Sequence, residues 1–144
     1  MAAFGANGLY DHGRENFLNG AIHWGVGAGG DDIRIAFIDH ADDIPDQATD
    51  EDLGDRTSAG IVAESGALSG KTIDAGVADA ADITVSTVSG HQFESIDIFK
   101  FDAGTEDNEL LIGNINSATG LPFTPSGGDI EVQWDAGANK IFKL

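Results

Sequence analysis

Glycine interrupts this sequence at short intervals along almost its whole length, contributing 20 of 144 residues. The apolar segments between the glycines are short, and none carries the ten or more residues of helical periodicity that a parallel βαβ crossover needs. Punctuation of this kind, with Asp and Asn beside the glycines, predicts many short strands joined by turns. The chain is expected to be all-β.

One exception precedes the strands. In residues 11–20, Asp11 offers an N-cap, Arg14 and Glu15 favour helix, Phe17 and Leu18 are apolar, and Gly20 supplies a stop, which predicts one or two helical turns. Residues 21–24 then read as a strand, the glycines at 25–30 as a turn that admits positive φ, and residues 33–39 as the returning strand of a hairpin. Ile33, Ile35 and Phe37 share one face of that strand, and Arg34, Ala36 and Ile38 the other, as expected of an inner strand. Residues 40–55 lose the alternation, contain Pro45 and Gly54, and read as a surface loop with a helical turn near 49–53.

Further strands are predicted at 58–68, 71–74, 82–88, 93–101, 109–116, 129–134 and 140–144, the last two forming a C-terminal hairpin. In 93–101, Ile96 and Ile98 take one face and Phe99 and Phe101 the opposite phase, which implies a central strand with a bulge or with burial on both sides. Phe93, Phe99, Phe101, Phe123, Trp134 and Phe142 are assigned to the core. The expected architecture is an antiparallel β-sandwich, a jelly roll first and an immunoglobulin-like sandwich as the alternative. It forms one domain over 1–144, with 1–10 an extended N-terminal arm.

Charge narrows the partners. Seven basic residues stand against 25 acidic ones, a formal charge of −18, and such a field repels phosphate backbones and anionic headgroups. Neither nucleic acid nor membrane is an expected partner. The start, Met1-Ala2-Ala3-Phe4-Gly5, lacks the basic and apolar regions of a secretory signal, so a soluble protein made in the cytoplasm is expected. With no cysteine, thiol catalysis, Cys-based zinc sites and disulfides are excluded.

The acidic run 39–55 could supply oxygens to calcium, but counted from Asp50 the glycine of an EF-hand loop falls at position 5 and no glutamate stands at position 12. His12, His23, His40 and His91 sit on separate segments without a metal-ligating spacing, and His23 reads as an outward residue of its strand. The glycines at 25–30 lead into Asp31-Asp32 and a strand rather than a lysine and a helix, so they do not cradle phosphate. Ser65 lacks the glycine two places before it that a nucleophile elbow requires, and no acid pair is singled out for glycoside hydrolysis. No catalytic residue, cofactor or metal is assigned. Phe4, Leu9 and Tyr10 on the glycine-bearing arm, with Trp24 at an interface edge, are the candidate protein contacts.

Residues 119–144, TGLPFTPSGGDIEVQWDAGANKIFKL, resemble the ending of a family of small virion structural proteins of tailed bacteriophages. The segments 10–24, YDHGRENFLNGAIHW, and 76–84, GVADAADIT, are similar to the same family, so the likeness covers most of the chain and is weakest at 25–30 and 42–60. The resemblance implies a capsid decoration or cement protein that is not an enzyme. It would bind the major capsid protein on the exterior of the virion as a homo-oligomer, a dimer or trimer, assembled in the bacterial cytoplasm. A tail, baseplate or receptor-binding accessory module is the alternative.

Overall fold

A computed structural model describes residues 7–144. In chain order its elements are β1 (Gly8–Leu9), α1 (Asp11–Leu18), β2 (Ile33–Ile38), β3 (Ile61–Glu64), β4 (Thr72–Asp74), β5 (Val77–Asp79), β6 (Ile83–Val85), β7 (Ser95–Lys100), β8 (Leu111–Ile115), β9 (Ile130–Val132) and β10 (Phe142–Lys143). Short 3₁₀ turns occupy Leu53–Asp55, Ser58–Gly60 and Glu106–Asn108. The expected all-β character holds, with antiparallel sheets and a single α-helix among the described residues.

The main sheet has the order β1-β8-β7-β2-β3, and smaller sheets β10-β5-β4 and β6-β9 accompany it. Alternation explains the burial of β2. Ile33, Ile35 and Phe37 join Ile96, Ile98 and Ile112 in one apolar cluster, to which the small sheets add Ala78 and Val85. Ala36 and Ile38 point the other way, into a second cluster with Tyr10, Leu53, Phe99 and Leu111. The main sheet is therefore buried on both faces, and β7 lies at its centre between β8 and β2. Its ladder with β8 slips between Ile98 and Phe99, so the phase change in the sequence marks both a bulge and two-sided burial.

Several local expectations are corrected. Residues 21–24 form no strand; His23 is tied to Asp31 instead, its amide donating to Asp31 Oδ2 at 2.7 Å and its carbonyl accepting from the Asp31 amide at 2.8 Å. The C-terminal hairpin is absent because each segment finds a distant partner: β9 pairs with β6 and β10 with β5, which packs Ile130 and Phe142 against the main apolar cluster. The 58–68 strand is shorter than expected, since Thr57 Oγ1 accepts from the Gly60 amide at 3.2 Å and caps a 3₁₀ turn there. Tyr10, not Asp11, occupies the N-cap position of α1, and Asp11 instead pairs with Arg14 at 2.8 Å. The loop 40–55 does not lie wholly on the surface, for Leu53 is completely buried.

Candidate functional site

The segment after α1 carries Ile22 and Trp24 under the small sheet β10-β5-β4, and the two leave an apolar cleft of about 590 Å³ between them. Phe17, Ile22, Trp24, Ile73, Val77 and Phe142 line it. Its aromatic wall is ordered. The Trp24 ring meets Phe142 edge-on with centroids 5.2 Å apart, Phe17 lies 5.8 Å from Phe142, and Trp24 Nε1 donates to the Asp79 carbonyl at 3.3 Å. Ile73 on β4 is 52% exposed and Leu144 59% exposed, both at this cleft. Rigid aromatic walls with exposed aliphatic residues beside them are the chemistry that accepts an apolar anchor from a partner.

The structure redistributes the residues proposed as contacts. Phe4 lies outside the described residues. Leu9 and Tyr10 are not on a free arm: Leu9 sits in β1 opposite Gly113 of β8, and Tyr10 is fully buried. Both are held because β1 completes the edge of the main sheet and delivers the Tyr10 ring beneath the 40–55 loop. Trp24 belongs to the core with 4% exposure, forming the floor of the cleft rather than an interface edge. Ile73 was not singled out by sequence, and its only signal was a large aliphatic residue in a strand otherwise flanked by Thr72 and Asp74.

On the other face of the main sheet lies a buried polar network. Arg56 Nε donates to Asp97 Oδ2 at 2.9 Å, its Nη2 to the Tyr10 hydroxyl at 2.6 Å, and its Nη1 to Asp50 Oδ2 at 2.6 Å, with Asp43 Oδ1 at 3.6 Å. The Tyr10 hydroxyl donates to Asp97 Oδ1 at 2.5 Å, and Asn114 Nδ2 donates to the same oxygen at 2.8 Å. His40 Nε2 and Ser95 Oγ are 2.7 Å apart. Burial, then the negative charge of Asp97, push the Tyr10 pKa well up. Burial acts most strongly and works against the Arg56 cation, yet the charge of Asp97, the Tyr10 hydroxyl and the hydrogen bonds to Asp50 and Asp97 together hold the guanidinium above its ordinary value. This constellation ties the acidic loop to the sheet.

Several carboxylates of the loop, Asp43 and Asp50 among them, also accept backbone amides. Asp46 accepts from the Ala48 amide at 2.9 Å, Asp50 from the Asp46 amide at 2.8 Å, Asp55 from the Glu51 amide at 2.7 Å and Asp43 from the Thr57 amide at 2.7 Å. No family model and no curated protein matches the chain. No helix among the described residues is long and apolar enough to cross a membrane.

Proposed function

We propose that this chain is a binding protein and not an enzyme: a structural protein of a tailed-phage virion that decorates the capsid exterior and cements the major capsid protein. The observation that carries the binding role is the apolar cleft floored by Trp24 and edged by the exposed Ile73. The phage assignment rests on the sequence resemblance of residues 10–24, 76–84 and 119–144. With a charge of −18, the surface favours a neutral or basic partner that inserts an apolar side chain. Self-association into a dimer or trimer would multiply such modest contacts over a symmetric shell. We read the packing as a β-sandwich of jelly-roll type, supported by the shared cluster in which Ala78 and Val85 of the small sheets meet Ile35 and Ile98 of the main sheet.

The test is the copy number of the protein in density-purified particles, measured by mass spectrometry against the major capsid protein. Comparable copy numbers are expected. A handful per particle would move the protein to the tail or baseplate, and absence from the particle would end the virion reading. In particles reconstituted with Ile73→Asp, occupancy should fall by about tenfold or more, the loss expected when a charge replaces a buried apolar anchor. Ile73 is exposed in the free chain, so the variant keeps its fold. Undiminished occupancy would remove the cleft from the interface.

A further inference from the structure

We propose that Asp39, Asp42 and His91 form a binding site for a divalent transition ion of the zinc type. Strand β2 ends at Ile38, and the next residue, Asp39, carries a carboxylate that is 4% exposed. Its Oδ1 is fixed by the Ala41 amide at 2.8 Å. The other oxygen, Oδ2, is turned into the cluster, where it meets His91 Nδ1 at 3.3 Å. A carboxylate this far out of water, with one oxygen turned toward an imidazole, presents a ligand atom to a cation at that point.

Two separate parts of the chain complete the donor set. The amides of Asp42 and Asp43 both donate to the Asp39 carbonyl, at 3.2 and 3.0 Å, and this turn swings Asp42 back until its Oδ2 lies 3.9 Å from the same His91 nitrogen. His91 arrives from the segment before β7, which is anchored two residues later. There the Phe93 amide donates to the Phe123 carbonyl at 2.9 Å, and its ring stacks on Phe37 with centroids 4.2 Å apart. The ligand atoms of all three side chains fall within 4.8 Å of one another. Sequence spacing could not reveal the set, because its members lie at 39, 42 and 91 and meet only where β2 and β7 run side by side.

One imidazole nitrogen and two carboxylate oxygens suit zinc or a neighbouring transition ion better than calcium, which prefers a cage of oxygens. Three protein donors leave positions for water, consistent with a His91 side chain that is 79% exposed. The acidic field of the whole chain raises the local cation concentration further.

The test is calorimetric titration of the full chain, stripped with chelator, with zinc chloride and in parallel with calcium chloride. One equivalent of zinc per chain is expected, with calcium weaker. His91→Ala and Asp42→Asn should each weaken zinc by at least about tenfold, the lower end of the loss seen even for partners that only orient a ligand. Both side chains are exposed, so neither change threatens the fold. Zinc should also shift the His91 ring nitrogen resonances in the wild-type protein. Failure of the wild-type chain to bind zinc overturns the proposal, as does binding that survives both substitutions or follows His12→Ala instead.

Discussion

A guanidinium with no exposed side-chain surface must be paired, and Arg56 is paired with Asp97, Asp50 and the Tyr10 hydroxyl at once. Removing one partner of a buried pair is worse than never having had it, because the survivor keeps its charge without its counter-ion. Arg56→Ala should therefore cost about 3–5 kcal/mol in urea denaturation, a large share of the roughly 5–15 kcal/mol that holds a domain together. Tyr10→Phe deletes one hydroxyl and leaves Asp97 with Arg56 and Asn114, so a milder loss of about 1–3 kcal/mol is expected. An unchanged midpoint in Tyr10→Phe would show that the hydroxyl does not hold the network together. None of this was legible in the sequence. Asp97 alternates with Ile96 and Ile98 and so reads as an outward residue, but the second face of β7 is covered too. Tyr10 and Arg56 are separated by 46 residues and share no periodic pattern that would announce their contact.

At the scale of elements, α1 lies on β8 at a distance set by Gly13. A Cβ there would stand 2.7 Å from the Ile112 carbonyl oxygen and 2.9 Å from that of Leu111, and backbone atoms cannot swing aside. Alanine is the better helix former by about 1 kcal/mol, so an isolated helix would gain from the change. Here the clash prevails: Gly13→Ala should destabilise by about 1–3 kcal/mol as the helix is pushed off the sheet. A higher melting midpoint for the variant would mean that α1 does not pack this closely. The same scale shows what sequence pattern can give. The two faces of β2 and the phase change in β7 were readable because period-two alternation is written locally in the residues that are buried. Partner choice was not readable, because residues 129–134 and 140–144 are adjacent in sequence yet are claimed by β6 and β5. The cleft was missed for the same reason, since it exists only where the segment holding Trp24 meets the sheet holding Ile73.

For the whole molecule, the excess of 25 acids over seven bases should make stability sensitive to salt and to pH. Repulsion among exposed carboxylates is screened by salt, whereas the buried attraction of Arg56 for Asp97 is screened much less. Adding about 0.5 M sodium chloride at neutral pH should therefore raise the melting midpoint; a lower midpoint would place attractive surface pairs ahead of the net repulsion. Acid acts through particular groups. Burial, and then nearby acids, raise the pKa of Glu64 and Asp52; burial is also the largest cause at Asp50 and Glu109, where with nearby acids it prevails over hydrogen bonds and the charges of Arg56 and Arg34. A carboxyl raised in this way binds its proton more tightly in the fold. Its contribution is complete below the ordinary carboxylate range and is lost as pH rises through the folded value. His40 runs the other way: burial lowers its pKa from 6.5, so its contribution is complete above that value and is lost as pH falls through the folded one. The two effects run in opposite directions as pH falls. Stability should dip as pH falls below about 6.5 and climb again as the four carboxyls take up protons. His40→Gln should flatten the dip and Glu64→Gln should reduce the climb, so melting curves of the two variants across pH 4–8 assign each limb to its group. A climb that survives in Glu64→Gln unchanged would shift the effect to Asp50, Asp52 and Glu109, the acids nearest the loop that Arg56 holds down.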